Sequence, residues 1–164
     1  MKFYPKAVPS LRFPKLCSNN SCVTDHKNFT FDASRPVFGV QARRTDKIIE
    51  AKKSFHATDE YVHIFEVFFK ILENHQDPKT VFIASDDHTF LADIRKSYKL
   101  PSWKILGFDS NITMANQGQR NSDLGLISIV RDLYFLAKCN FVICGLSSNV
   151  CRMILEIMAT QFPN

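Results

Sequence analysis

The sequence lacks the features that define several large classes of protein. Its 164 residues contain no apolar run near the roughly 20 residues that a membrane-spanning helix needs, and charged residues interrupt the densest apolar segment, 61–72. The N-terminal segment MKFYPKAVPSLRFPK has no continuous apolar stretch and does not match a signal peptide. None of the five glycines belongs to a Gly-rich dinucleotide loop or a Walker motif. We therefore expect one globular domain with no transmembrane segment in this chain.

The chain also lacks dense clusters of positive charge, although its net charge is positive. A formal charge of +5 and a pI near 9.0 favour anionic partners. Nucleic-acid-binding proteins usually show basic clusters with interleaved aromatic residues. Here the lysines and arginines are scattered, and the closest groups are Arg43-Arg44 and Lys52-Lys53. We therefore expect no nucleic-acid partner, which leaves a small polyphosphate ligand or a membrane surface as the anionic partner.

The cysteines give no sign of a metal site. There are five of them, so at least one thiol is free or paired with another chain. No paired CxxC or HxxxH spacing accompanies them, and we expect no metal. Cys144 and Cys151 are seven residues apart across a predicted strand–helix corner. This spacing fits a disulfide, and it also fits two buried free thiols.

The order of the predicted elements indicates the fold class. Residues 1–35 hold three of the seven prolines and show no sustained periodicity, which predicts an irregular N-terminal segment. In residues 36–164, apolar runs of strand length alternate with helical spacing. The predicted strands are 37–42, 80–84, 103–107 and 141–144, and the predicted helices are 58–75, 87–98, 122–138 and 148–161. This alternation predicts an α/β fold, a Rossmann-like parallel sheet with helices on both faces.

Polar segments follow three of the four predicted strands. ARRTDK follows the first, SDD the second and GLSSN the fourth. Ligands of open parallel sheets bind at the carboxyl ends of the strands, so these segments predict a binding site. Arg43 is suited to grip a diphosphate, whereas Arg44 is expected to pack against a carboxylate. Ser148 precedes a helix, where it could contact an anion, cap the helix, or do both.

Acidic residues supply the remaining candidates. Either Asp86 or Asp87 is expected to cap the next helix, and the other to hold a hydroxyl or orient a cation. Asp132 lies outside the apolar stripe of its helix and by itself is typical of a solvated carboxylate. Glu50 with Lys47 forms a carboxylate–amine pair suited to proton transfer. Thr58 is the predicted N-cap of the first long helix.

Several separated motifs together resemble one family. ARRTDK, SFHATDEY, ASDD and IVRDLYFLAKCNFVICGLSSNVCRMILEIM, between about residues 36 and 163, closely resemble the α-1,6-fucosyltransferases, which modify the core of N-glycans. That resemblance implies the GDP-sugar-binding half of a GT-B-like glycosyltransferase. Its reaction would be inverting transfer of fucose from GDP-fucose to the 6-hydroxyl of the innermost N-acetylglucosamine. No metal or cofactor would be needed, the location would be the Golgi lumen, and homodimers are possible in the full-length family.

The resemblance also implies roles for individual residues. On the donor side, Arg43 would hold the β-phosphate with support from Arg44, Ser148 would contact the pyrophosphate and Asp132 the guanine. The residues facing the acceptor sugar would be Asp46, Lys47 and Glu50, with Glu50 as the base. Positions that the family needs for activity are matched by Tyr61, Asp86 and Asp87. A family disulfide is matched by Cys144 and Cys151.

This chain departs from the family pattern at a few positions. Gln41 stands where a histidine is usual in the guanine site, and Asn149 where a glutamine is usual in the donor site. Glu50 follows Lys47 by three residues, whereas the family spacing is four. The family's stem, membrane anchor and SH3-like domain have no counterpart here. The alternatives are therefore a catalytically silent GDP-sugar-binding fragment, or a fucosyltransferase that acts on protein hydroxyls.

Overall fold

The structure, a computed structural model, describes residues 17–18, 21–22, 31, 35–44, 56–72, 78–98, 102–108 and 122–161. Its strands are β1 (Cys17–Ser18), β2 (Ser21–Cys22), β3 (Val37–Ala42), β4 (Lys79–Ser85), β5 (Trp103–Leu106) and β6 (Phe141–Cys144). Its helices are α1 (Thr58–Ile71), α2 (His88–Ser97), α3 (Asp123–Ala137) and α4 (Asn149–Gln161). None of the helices in these segments is long and apolar enough to cross a membrane.

Four strands form one parallel sheet in the order β5-β4-β3-β6. From β3 the chain builds the sheet outward through β4 to β5, and then crosses back to place β6 on the other side of β3. The strand order therefore reverses between β3 and β6. Open α/β sheets bind their ligands at such a reversal, beyond the carboxyl ends of the strands. The predicted α/β fold with a parallel sheet is confirmed.

One face of the sheet packs against α1 and α2. Alternate residues of β3 point to this face because side chains alternate along a strand, and Phe38, Val40 and Ala42 are fully buried there. Phe65 of α1 and Phe90 of α2 complete the contact, both with no exposed surface. Aromatic side chains dominate this core, as the fifteen phenylalanines of the sequence suggest.

The other face packs against α3 and α4. Gly39 points to this face, and its lack of a side chain lets α3 come close to β3. A Cβ atom at Gly39 would lie 3.0 Å from the Cys139 Sγ atom and 3.1 Å from Leu136. Phe82 of β4 and Ile154 of α4 are fully buried in the same cluster. The helices thus cover both faces of the sheet, in agreement with the sequence prediction.

The N-terminal segment includes ordered contacts. The short strands β1 and β2 pair antiparallel, with Cys17 opposite Cys22. Phe31 packs edge-on against Phe82 and Phe135, with ring centroids 5.8 Å and 5.7 Å apart. At least one residue before 36 therefore belongs to the core between the sheet and α3.

The prediction that Thr58 caps α1 is wrong. The helix begins at Thr58, and the capping position falls on Ala57. The Glu60 carboxylate accepts a hydrogen bond from the Ala57 N–H at 3.0 Å. Glu60 therefore provides the side-chain hydrogen bond to the main chain at this helix start. The Thr58 hydroxyl instead contacts an arginine of the candidate site.

Candidate functional site

The predicted site residues near β3 and β6 come together at the strand reversal. Gln41 of β3 lies directly opposite Cys144 of β6 in the parallel ladder. Neighbouring strands are about 4.8 Å apart, so Arg43 and the turn 145–148 leave the sheet side by side. The register thus brings the main chain of Arg43 and the turn 145–148 to the same edge of the sheet, and their joint hold on a diphosphate stays a prediction.

Two buried polar atoms at this edge have no hydrogen-bond partner among the described residues. Ser148 is 2% exposed and directly precedes α4, and Gln41 is 9% exposed and shares the α3–α4 face of β3 with Gly39. Neither the Ser148 Oγ atom nor the Gln41 Oε1 atom has a hydrogen-bond partner in the part of the chain that the structure describes. A buried polar atom without a partner costs about 1–3 kcal/mol. Such atoms are expected where a ligand supplies the missing hydrogen bonds.

Asp132 lies on α3 one helical turn before Leu136, the residue that packs at Gly39. Because Gln41 is two residues beyond Gly39 on the same face, Asp132 and Gln41 approach the same edge of the sheet. Burial raises the pKa of Asp132 to about 7, and the nearby Arg131 guanidinium opposes this increase only in part. The Asp132 side chain is 23% exposed, so it is a partly buried carboxyl group and not a fully solvated one. A desolvated carboxyl group gains from any ligand that donates hydrogen bonds to it.

Arg131 separates Asp132 from the aromatic residues at the end of β5. Its guanidinium stacks on the ring of Phe108 at 3.7 Å, and its Nε atom is 3.8 Å from the Asp132 carboxylate. An arginine held flat on an aromatic ring loses little further freedom when it balances a neighbouring charge. Arg131 was not among the residues selected from the sequence.

The turn after β6 is fixed at both ends. The Ser148 N–H donates to the Gly145 carbonyl at 2.8 Å, and a disulfide joins Cys144 to Cys151. The disulfide agrees with the pairing that the family resemblance implied. The start of α4 directly follows, and its free N–H groups and positive dipole end favour an anion. Asn149 is exposed, and its side-chain oxygen accepts a hydrogen bond from Arg152.

Arg44 occupies the opposite face, where its side chain has several protein contacts. Its Nη1 atom donates to the Thr58 hydroxyl at 2.9 Å, and its Nε atom is 3.7 Å from the Asp87 carboxylate. The guanidinium also lies over the Phe90 ring, 4.9 Å from the centroid. The predicted packing of Arg44 against a carboxylate is confirmed. We call Arg44, Thr58, Asp86, Asp87 and Phe90 the Arg44 cluster.

Of the two aspartates after β4, one caps the next helix as predicted, and the role predicted for the other stays a prediction. Asp87 caps α2 and accepts hydrogen bonds from the Thr89 N–H at 2.9 Å and the Thr89 hydroxyl at 2.6 Å. Asp86 accepts a hydrogen bond from the main-chain N–H of Arg44 at 2.7 Å.

Tyr61 is buried beside this cluster. Its ring packs edge-on against Phe90 with centroids 5.4 Å apart. Burial raises the pKa of the Tyr61 phenol, while the positive charge of Arg44 acts in the opposite direction. Tyr61 is therefore a neutral side chain at neutral pH, and its packing links α1 to α2 directly below Arg44.

The predicted acceptor-side residues Asp46, Lys47 and Glu50 lie outside the described residues, and their roles stay predictions. Within the described segments, no group of three or more His, Cys, Asp or Glu side chains could hold a metal ion. Sequence reasoning missed the contact of Thr58 with Arg44, because a threonine before two acidic residues is also the usual signal of a helix cap.

Comparison with known proteins identifies the family. A family model described as alpha-(1,6)-fucosyltransferase N- and catalytic domains matches residues 12–164. The chain belongs to the alpha-(1,6)-fucosyltransferase family. The match begins well before residue 36, so it includes much of the N-terminal segment in which the sequence motifs showed no resemblance.

Two alpha-(1,6)-fucosyltransferases illustrate the relationship. The Caenorhabditis elegans protein is 36% identical over 125 residues, covering 74% of this chain and 22% of the relative. The Drosophila melanogaster protein is 33% identical over 132 residues, covering 79% of this chain and 21% of the relative. The chain thus spans about a fifth of the length of these fucosyltransferases.

Proposed function

We propose that this chain binds GDP-fucose and forms the donor-binding part of an α-1,6-fucosyltransferase. The observation that carries the proposal is a pair of buried atoms, Ser148 Oγ and Gln41 Oε1, that have no hydrogen-bond partner within the described segments and lie beside the strand end at Arg43. Family membership supports a nucleotide-sugar donor and a glycan acceptor. The reaction we propose is transfer of fucose to the 6-hydroxyl of the innermost N-acetylglucosamine of an N-glycan.

The diphosphate would lie between Arg43 and the start of α4. As the glycosidic bond to fucose breaks, negative charge develops on the leaving GDP. A guanidinium, the N–H groups of the first helical turn and the Ser148 hydroxyl would stabilise that charge. We propose that these groups, rather than a metal ion, balance the charge of the leaving group.

The guanine would lie against Asp132 and Gln41. The purine N1–H and exocyclic amine are hydrogen-bond donors, which match the Asp132 carboxylate and the free Gln41 Oε1 atom. Binding of these donors would favour the ionised form of Asp132 and lower its raised pKa. A histidine is expected at position 41 from the family pattern, and a glutamine retains an acceptor there.

The chemical step would be an inverting displacement. The acceptor hydroxyl attacks the anomeric carbon from the side opposite GDP, and a base removes its proton. Glu50, with Lys47 and Asp46 on the acceptor side, is our candidate for this base. We further propose action in the Golgi lumen, where a disulfide such as Cys144–Cys151 is stable. We also propose that full-length members of the family form homodimers.

A second candidate function is binding of the GDP-sugar without catalysis. It is favoured by the position of Glu50, which follows Lys47 by three residues where the family spacing is four, because a donor site can persist where the base is misplaced. This candidate keeps the roles of Arg43, Ser148 and Asp132. It differs only in that the fucose of the bound GDP-fucose is not transferred to an acceptor.

Two measurements test the proposal. Titration calorimetry with GDP, with UDP as the control nucleotide, should show binding of GDP alone. Release of GDP from GDP-fucose should then be measured with a core N-glycan glycopeptide. Turnover supports the transferase, and GDP binding without turnover supports the silent binding protein. Failure to bind GDP would exclude both functions.

A further inference from the structure

Arg44 is fixed at its main chain and at its side chain. The Asp86 carboxylate holds its N–H at 2.7 Å, and the Thr58 hydroxyl holds its Nη1 atom at 2.9 Å. The Phe90 ring and the Asp87 carboxylate contact the remaining parts of the guanidinium. Only 16% of the Arg44 side chain is exposed. These contacts fix a residue that directly follows the arginine proposed to hold the donor.

Thr58 is the member of this cluster that joins α1 to the end of β3. Its hydroxyl is not used as a helix cap because Thr58 is the first helical residue and the capping position is Ala57. The link is between the first residue of α1 and the second residue after β3. A hydrogen bond to a charged group is about twice as strong as one between neutral groups. Thr58 therefore restrains Arg44 more firmly than an ordinary surface contact would.

The restraint reaches Arg43 through one peptide unit. The hydrogen bond to Asp86 sets the plane of the peptide between Arg43 and Arg44, and the guanidinium contacts prevent Arg44 from rotating that unit. A guanidinium that grips a diphosphate with two parallel hydrogen bonds needs a defined approach direction. The direction in which the Arg43 side chain approaches the diphosphate is thus set by the contacts of Arg44. These contacts lie on the face of the sheet opposite Gln41 and Ser148.

We propose that Thr58 is a positioning residue that, through Arg44, orients Arg43 toward the β-phosphate of the donor. This inference rests on the proposed function, because it requires a diphosphate at Arg43. It assigns Thr58 no contact with the nucleotide. Its effect is therefore confined to the β-phosphate, while contacts to the base and the α-phosphate stay the same.

The test compares GDP with GMP, which differ only in the β-phosphate. Affinities for both are measured by calorimetry for the parent chain, Thr58→Val, Thr58→Ser and the matched control Thr160→Val. Thr160 is exposed, and its hydroxyl bonds only to a carbonyl of α4. Thermal unfolding is recorded for each variant, and Thr58→Ala replaces the valine variant if valine prevents folding.

We expect the parent to bind GDP at least about tenfold more tightly than GMP. Thr58→Val should reduce that ratio by about fivefold through the affinity for GDP, with the affinity for GMP unchanged. Thr58→Ser, which keeps the hydroxyl, should restore the ratio to within about twofold, and Thr160→Val should leave it unchanged.

The outcomes separate this inference from the proposed function. A Thr58→Val chain with the GDP-to-GMP ratio of the parent would overturn the positioning role and leave the donor site intact. Equal losses for GDP and GMP would also overturn it, since they indicate a general loss of structure. A parent that does not prefer GDP over GMP would overturn the proposed function and this inference together.

Discussion

At the carboxyl edge of the sheet, Arg44 and Gln41 lie on opposite faces of β3 and have very different surroundings. The Arg44 side chain contacts a hydroxyl, a carboxylate and an aromatic ring. The Gln41 Oε1 atom is buried without a partner among the described residues, as is the Ser148 hydroxyl. On the first face, protein groups hold the Arg44 side chain, although its Nε atom makes an ion pair with Asp87 rather than a hydrogen bond. On the second face, the two buried polar atoms remain available to a ligand, at a cost in stability.

The difference explains why adjacent arginines are expected to behave differently. The Arg44 cluster holds the chain just after β3. A change in this cluster therefore acts on the stability of the protein and only indirectly on the ligand. Arg43 leaves β3 beside the α4 start, at the strand reversal. Functional sites commonly combine a rigid support with polar groups that are satisfied only when the ligand is bound.

Arg43→Ala and Arg44→Ala should give the largest contrast. Loss of the diphosphate contact in Arg43→Ala should weaken GDP binding by about 100-fold or more. Arg44→Ala should weaken binding by about tenfold and lower the free energy of unfolding by about 2 kcal/mol, because Asp87 and Thr58 lose their partner. Calorimetry and urea unfolding measure the two effects. Equal GDP affinity in Arg43→Ala and the parent would contradict the phosphate role.

Asp132→Asn should change stability and GDP binding in opposite directions. Since burial raises the pKa of Asp132 to about 7, the ionised carboxylate destabilises the fold at pH 8. The amide should raise the thermal midpoint at pH 8 by at least about 3 °C while weakening GDP binding by about 30-fold. Asp93→Asn, an exposed carboxylate on α2, is the matched control and should change neither quantity. A less stable Asp132→Asn chain at pH 8 would contradict this account of Asp132.

The pH dependence of binding should follow the same carboxyl group. GDP donors favour ionised Asp132, so binding lowers the pKa of Asp132 from about 7 and releases a proton. Affinity should therefore rise by about tenfold from pH 6 to pH 8 beyond the change seen in Asp132→Asn, which removes the titration. Identical pH profiles of GDP affinity for the parent and for Asp132→Asn would contradict a contact between GDP and ionised Asp132.

The raised pKa of Asp132 also makes the stability of the ligand-free protein depend on pH. The folded chain holds a proton on Asp132 between its ordinary value of 3.8 and about 7, where the unfolded chain has lost it. The contribution of Asp132 to the free energy of unfolding therefore falls as the pH rises through this window. Above about pH 7 the full penalty is present, and bound GDP would offset it.

Ser148→Ala should give the smallest effect, and its sign is diagnostic. Removal of a buried hydroxyl with no protein partner should leave the free energy of unfolding unchanged or raise it by up to about 1 kcal/mol. Binding of GDP should weaken by about fivefold. A serine that acts only as a helix cap would instead lower stability by about 1 kcal/mol when replaced by alanine, with no effect on GDP.

Much of the fold could be predicted from the sequence because its signals are local. Apolar runs such as 80–84 and the helical spacing after residue 58 locate the strands and helices within a few residues. A cap at either Asp86 or Asp87 was predictable on the same basis, and the structure shows that it is Asp87. These features depend on neighbours along the chain, so a single sequence contains them.

The surroundings of the site residues could not be predicted in the same way. The burial of Asp132 depends on the approach of α3 at Gly39, and the Thr58–Arg44 contact joins residues from different elements. Such contacts arise only when the strand order is known. Asp46, Lys47 and Glu50 stay predictions, because they lie outside the described residues.

The most direct test of the central claim is a GDP titration of the isotope-labelled chain followed by NMR. The account predicts saturable shifts of the Gln41 side-chain amide and of backbone amides at Arg43, Asp132 and 145–149. Amides of Tyr61 and Phe90, on the other face, should shift much less. Shifts centred on Tyr61 and Phe90, or no saturable shift at Gln41 and Ser148, would contradict a donor site on the α3–α4 side of the sheet.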